Sequence, residues 1–170
     1  RKFILVFILS LNLFGANELK FKSLIGEFTQ TITSQDQKII YTGSLAIDSD
    51  FGAFWQYDTP MQKLIYFSNN QVIIIEPELE QAIITNLKSS PDITKILKNA
   101  KKLSDDKFQA VYEDVVYDIT TQNSLPKLIA YEDKLGNKAI IEFTQISKDK
   151  IISKDILTPQ IPSNYDIISN

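Results

Sequence analysis

Between Gly43 and Gln81 four apolar runs, Leu45 to Ile47, Phe54 to Tyr57, Leu64 to Phe67 and Val72 to Ile75, alternate with short polar gaps. This spacing predicts antiparallel strands joined in a meander. Asp48-Ser49-Asp50 separates the first run from the second and Asp58-Thr59-Pro60 the second from the third. Ser68-Asn69-Asn70-Gln71 offers a tight hairpin turn, because Asn tolerates positive φ. Side chains along a strand alternate faces, so Leu45 with Ile47, Trp55 with Tyr57, Leu64 with Tyr66, and Ile73 with Ile75 each share a face. The opposite set, Phe54, Ile65, Phe67, Val72 and Ile74, is apolar too. Both faces must therefore be covered, by other elements or by a bound apolar ligand.

On either side of the meander the pattern changes period. From Asn17, residues Phe21, Leu24, Ile25 and Phe28 fall at i, i+3, i+4 and i+7 and predict a helix, loosened at Gly26. Period two takes over in Phe28 to Thr33, so a first strand is expected from about Glu27, with Gln35-Asp36-Gln37 turning the chain into a second over Lys38 to Ile47. A short strand covers Gln81 to Asn86. Ser90, Pro91 and Asp92 then form a helix start, as a cap, a first-turn proline and an acid at the positive end of the dipole. Ile93, Ile96, Leu97 and Ala100 mark its apolar stripe. Further strands are predicted at Phe108 to Tyr112, Val115 to Thr120, Lys127 to Glu132, Lys138 to Ile146 and Ile151 to Leu157. Ten or eleven antiparallel strands with two helical segments imply a mostly β fold, a strongly curved sheet closed or half closed into a barrel with helices on its open side.

The 170 residues suggest one domain, and 44% hydrophobic content supplies a substantial core. Residues 1 to 16 read differently: Arg1-Lys2, an apolar stretch through Phe14, then Gly15-Ala16, the pattern of a secretory signal peptide cleaved near Ala16. The stretch is shorter than the roughly 20 apolar residues of a membrane span. Residues 17 to 170 are then the single folded domain. Cleavage would remove Arg1 and Lys2 from the 18 basic residues and leave 16 against 21 acidic ones, a net charge of −5. An acidic chain whose one lysine cluster, Lys98, Lys101 and Lys102, is followed by Asp105-Asp106 is not expected to bind nucleic acid. With neither Cys nor His, disulfides, histidine-based catalysis and Cys or His metal sites are excluded.

Carboxylates could in principle pair for hydrolysis: Asp48 with Asp50, Glu76 with Glu78 and Glu80, Asp105 with Asp106, and Asp118. Most of them fall in predicted turns, where solvation accounts for them. The stronger signal is apolar. Trp55, Tyr57 and Tyr66 join a ring body to a polar tip, as ligand pockets do. The candidate apolar-ligand residues are Leu45, Ile47, Trp55, Tyr57, Leu64, Tyr66, Ile73 and Ile75 of the meander with Ile93, Ile96 and Leu97 of the helix.

Several runs in order resemble the LolA family of periplasmic outer-membrane lipoprotein carriers. They are Phe28-Thr29-Gln30, Gly43 to Ile47, Phe54-Trp55-Gln56-Tyr57 with Pro60, Pro77 to Gln81, Asp133 to Asn137 ahead of Ala139 to Phe143, and Thr158 to Asp166. The resemblance spans the chain from residue 17 onward. It implies a half-open, unclosed antiparallel barrel covered by a helical lid, whose apolar cavity takes the acyl chains of a lipoprotein. It also implies a periplasmic, monomeric, non-enzymatic carrier without a cofactor, loaded by an inner-membrane ABC transporter and unloaded by an outer-membrane acceptor. Two rivals stand beside that reading: a lipid- or lipoprotein-sensing protein of the same fold without transport, and a carboxylate-based hydrolase, which the lack of His disfavours. In the family an arginine follows the Leu-x-Val/Ile strand and hydrogen-bonds the lid. The matching position here is Ser49, and Arg1 is the sole arginine, so the resemblance implies a lid that opens more easily when empty. Ala53 stands where the family has an aromatic before the Trp.

Overall fold

The computed structural model describes residues 19–68, 71–86 and 92–169. The expected signal peptide, the Asn69-Asn70 turn and the Ser90-Pro91 helix start lie outside them. The meander expected from the apolar runs is present as β2 (Gln37–Asp48), β3 (Gly52–Thr59), β4 (Lys63–Ser68) and β5 (Gln71–Glu76), followed by a 3-10 turn over Pro77–Leu79 and by β6 (Gln81–Asn86). β1 (Ser23–Ser34) precedes it. After the helix α1 (Ile93–Lys98) come β7 (Lys101–Lys102), β8 (Lys107–Tyr112), β9 (Val115–Gln122), β10 (Leu125–Glu132), β11 (Lys138–Lys148) and β12 (Asp166–Ser169). These twelve strands form one sheet in the order β12-β6-β5-β4-β3-β2-β1-β11-β10-β9-β8-β7. Each neighbouring pair is antiparallel except β12 on β6, which is parallel. The sheet is curved and unclosed, with β7 and β12 at its free edges. The two-residue turns Glu113-Asp114 and Asn123-Ser124 have positive φ throughout, the geometry that matches the twist of the flanking strands.

Two expectations fail. The helix predicted from Asn17 through Phe28 is instead, from Ser23 onward, the start of β1, so the expected helical cover is reduced among the described residues to the six-residue α-helix α1. Leu24 and Phe28 are both buried, and a spacing of four satisfies either period. The residue between them on that face is Gly26, whose missing side chain hides the alternation. A Cβ there would lie 2.9 Å from the Ile146 Cα across the β1–β11 register shift. The strand predicted over Ile151 to Leu157 is a loop and a 3-10 turn, Lys154–Leu157, in which Leu157 is buried and Ile151 fully exposed. Its apolar residues come as the adjacent pairs 151–152 and 156–157 and never alternate.

α1 keeps the predicted stripe: Ile93, Ile96, Leu97 and Ala100 are all buried. Its cap is Asp92, whose carboxylate accepts from the Thr94 and Lys95 amides at 3.0 and 3.3 Å. The stripe packs into the main core with Leu24, Phe28, Leu45, Trp55, Ile129, Ile141 and Phe143 on the inner face of the sheet. A second cluster of Tyr66, Ile73, Ile75 and Ala82, flanked by Phe54 and Leu64, lies on the outer face under Ile161 and Tyr165. The C-terminal segment is held there by the Asp166 amide on the Glu80 carbonyl (2.9 Å) and by β12. The apolarity on both faces of the meander thus has two partners: α1 and the opposite strands inside, the C-terminal segment outside.

Candidate functional site

Across β2 to β5 the register places Leu45, Trp55, Ile65 and Ile74 side by side on the inner face, and Ile47, Ala53, Phe67 and Val72 in the next row. Between this surface, α1 and the other limb of the sheet lies a cavity of about 140 Å³. The meander contributes Trp55, Tyr57, Ile65, Phe67 and Ile74, the helix contributes Ile93, and β1, β10 and β11 contribute Gln30, Tyr131 and Ile141. Among the described residues no ionised side chain borders it.

Its floor is aromatic. Phe28 meets Trp55 and Tyr57 edge-on with ring centroids 4.9 and 5.0 Å apart, and Tyr41 meets Tyr57 at 5.7 Å. Gly43 makes that cluster possible. A Cβ at this position would fall 1.9 Å from the Gln56 carbonyl oxygen and 2.9 Å from the Phe28 ring, beside the register shift that separates Thr42 from Gly43. One polar feature interrupts the apolar wall: the Tyr57 hydroxyl donates to Oε1 of buried Gln30 at 2.9 Å. Burial, with smaller contributions from Tyr131 and Tyr41, raises the Tyr57 phenol far above its usual 10. Burial, then the nearby charge of Asp133, also raises Tyr131, and burial pushes Tyr117 up to about 12. The described side chains that line the cavity are therefore neutral at physiological pH.

A separate hollow of about 200 Å³ lies between the β2–β3 turn and α1, bordered by Asp48, Ser49, Asp50, Asp92, Thr94, Lys95 and Lys98. It is polar. Several of the carboxylates considered for hydrolysis have other partners. Asp48 accepts from the amides of Asp50 and Phe51, Glu76 pairs with Lys63 at 2.9 Å and accepts from Gln81, and Asp118 accepts from Gln109.

Of the residues expected to meet an apolar ligand, Leu45, Ile47, Trp55, Tyr57, Ile93, Ile96 and Leu97 come together inside. Trp55, Tyr57 and Ile93 border the cavity itself. Leu64, Tyr66, Ile73 and Ile75 do not join them, because they belong to the outer cluster. Within each strand the expected pairs share a face, but which set points inward depends on how the turns align neighbouring strands. Trp55 pairs with Ile65 and not with Leu64 or Tyr66, and Ile65 pairs with Ile74 and not with Ile73 or Ile75. With both sets apolar, hydrophobicity alone could not choose. Ile65, Phe67, Ile74, Gln30, Tyr131 and Ile141 were missed as lining residues. Gln30 carried a signal: it is the polar interruption in the alternation Phe28, Gln30, Ile32 of β1.

Residues 19–124 match the family model described as outer membrane lipoprotein carrier protein LolA. The chain belongs to the LolA family. The match covers β1 to β9 and α1, so it includes Gln30, Trp55, Tyr57 and Ile93, while Tyr131 and Ile141 follow it. An outer-membrane lipoprotein carrier protein of Campylobacter jejuni is 34% identical across 99% of both chains. One of Wolinella succinogenes is 34% identical over 91% of this chain and 94% of its own. Among solved structures, a LolA superfamily protein from Nitrosomonas europaea shares the fold with a TM-score of 0.52 at 11% identity, covering 84% of this chain and 92% of that one.

Proposed function

We propose that this protein is a periplasmic lipoprotein carrier that shelters acyl chains in the inner-face cavity, with α1 as a movable lid. The observation that carries the reading is the neutral apolar cavity lying directly beneath the helix, in a chain 34% identical over nearly its whole length to an outer-membrane lipoprotein carrier. In this reading the protein is not an enzyme. It takes lipoproteins from an inner-membrane ABC transporter and delivers them to an outer-membrane acceptor.

Cavity size supports a moving lid. About 140 Å³ is well below the roughly 300–1,000 Å³ of ordinary ligand pockets, so an acyl chain needs the cavity to widen. The four apolar residues that dock α1 and its following turn are the contacts that must give way. Energetics agree, since burying about 15 methylenes at roughly 0.8 kcal/mol each yields about 12 kcal/mol gross per chain. Three chains fully buried would exceed the practical ceiling of roughly 18–21 kcal/mol on non-covalent affinity. A carrier has to release its cargo, so part of that gain must be offset by undocking α1 or by incomplete burial.

The direct test incubates the purified protein with a radiolabelled triacylated lipoprotein in membranes containing the active transporter. A soluble one-to-one complex is expected. Retention of the lipoprotein in the membrane under those conditions would overturn the reading.

A further inference from the structure

Gln30, Tyr57 and Tyr131 form a polar cluster inside an otherwise apolar cavity, and an acyl chain alone has no use for it. Gln30 sits in the middle of β1 and is 7% exposed, flanked on the inner face by Phe28 and Ile32. Tyr57 comes from β3 and Tyr131 from β10, on the two limbs of the curved sheet, and all three side chains border the same cavity. Burying a carboxamide and two phenols at an apolar surface costs stability that leucine or phenylalanine would not.

Hydrogen-bond valence indicates what the cluster can recognise. The three side chains carry one O–H, two N–H and one O–H donors. The Tyr57 O–H is committed to Gln30 Oε1 at 2.9 Å. The Gln30 amide N–H groups and the Tyr131 O–H lie on residues that border the cavity. With the Gln30 carbonyl already engaged, the surplus is of donors, which suits a neutral acceptor. Among the described residues no lysine lines the cavity, so a carboxylate or phosphate would find no cation on these walls.

We infer that Gln30 and Tyr131, oriented by Tyr57, bind an ester carbonyl of a diacylglyceryl group and so set how deep its acyl chains enter the cavity. This rests on the carrier reading and makes it more specific: the apolar walls supply affinity, and the polar cluster supplies register along the chain. The interaction is neutral and buried, so it persists at high salt.

The test compares two synthetic lipopeptides with a free α-amino group, one with two palmitoyl esters on the glyceryl unit and one with two hexadecyl ethers, which lack the carbonyls. Wild-type protein is expected to bind the ester about three- to tenfold tighter, the worth of one or two hydrogen bonds. Tyr131→Phe and Gln30→Met should bring that ratio towards one. Using both variants guards against a folding defect in either. A ratio near one in wild type, or an unchanged ratio in both variants, overturns the inference while leaving acyl binding intact. Failure of wild type to bind either lipopeptide overturns the carrier reading and this inference with it. Repeating the comparison with dipalmitoyl phosphatidylglycerol and its dihexadecyl ether identifies the source. The same variant-sensitive preference there assigns the site to diacylglyceryl esters of phospholipids as well as lipoproteins.

Discussion

The Lys98 ammonium donates to the Ser49 carbonyl oxygen at 2.6 Å, tying the last turn of α1 to the turn between β2 and β3. Resemblance to the LolA family placed a latching arginine at position 49, and the absence of one implied a looser lid. In this protein the two ends of the contact are exchanged: the cation is on the helix and the acceptor is backbone at the strand end. Lys98 is exposed, so the contact is worth no more than about 1 kcal/mol.

Lys98→Met should lower the unfolding free energy by less than about 1 kcal/mol. It should also speed hydrogen exchange of residues 93–98 in the empty protein and accelerate lipoprotein uptake. Exchange unchanged from wild type would remove the contact as a latch. Ser49→Arg is not a simple restoration here, because it would put a second cation beside Lys98.

Whether α1 is a lid or an ordinary part of the core can be read by comparing two substitutions of the same kind. Ile96 is 1% exposed and Ile129 0%, but one lies on the helix and the other in the middle of β10. Ile129→Ala should cost about 2–5 kcal/mol. Ile96→Ala should cost distinctly less, because a helix that undocks at modest cost limits what can be lost through it, and cargo binding should suffer more. Equal losses in urea denaturation with unchanged lipoprotein affinity would assign α1 to the core.

How much of this could be read from the chain depended on where the information lies. The meander was legible because its turns carry Asp, Asn and Pro at the right intervals, and the stripe of α1 because Ile93, Ile96, Leu97 and Ala100 repeat with the helical period. The inward face of β4 and β5 was not, since register is set by turns and both parities are apolar. Gln30 and Tyr131 are about a hundred residues apart and meet only through the pairing of β1 with β11 and β11 with β10. β12 escaped because Ile167-Ile168 is too short a run to signal a strand without the β6 edge it joins.

Acid should weaken the end of the meander where Lys63, Glu76 and Gln81 continue the row of Tyr57. A hydrogen bond from Lys63, then one from Gln81, holds the Glu76 carboxyl below its usual 4.5, outweighing its burial. A depressed carboxylate contributes stability above the unfolded-state value and loses it as pH falls through the folded one. Glu76→Gln should therefore be less stable than wild type at pH 7, and the difference should shrink steadily below about pH 4.5. A difference independent of pH in thermal melts would show that the ion pair with Lys63 does not matter to folding.

At the alkaline end the relevant group is Tyr57. Burial raises its folded-state value far above 10, so above pH 10 the unfolded chain loses this proton while the folded chain keeps it. Stability must then fall with rising pH. Tyr57→Phe should flatten that decline, and the phenolate absorbance of wild type should rise in step with unfolding for this residue. Full titration of all tyrosines in the folded protein near pH 10 would contradict the burial of the cavity floor.

Gly43 tests the floor from the backbone side. The nearest atom to a Cβ at that position is the Gln56 carbonyl oxygen, at 1.9 Å, which belongs to β3 and cannot swing away as a side chain could. Gly43→Ala must therefore push β2 from β3 or open the register shift at Thr42. Overpacking of this kind costs about 1–3 kcal/mol, and backbone contact puts this case at the upper end or above it. The same displacement moves Phe28, whose ring holds Trp55 and Tyr57 at 4.9 and 5.0 Å, so the floor of the cavity should loosen with it. Tryptophan fluorescence should then report a wetter Trp55 in the variant under conditions where it remains folded, and lipoprotein affinity should fall by more than in Gly136→Ala. Gly136 lies in the exposed turn before β11, where an added Cβ meets nothing within 4 Å, and its positive φ makes Ala strained there for local reasons alone. A stability loss shared by both variants with affinity reduced in neither would mean that Gly43 serves the register of β2 on β3 and not the cavity.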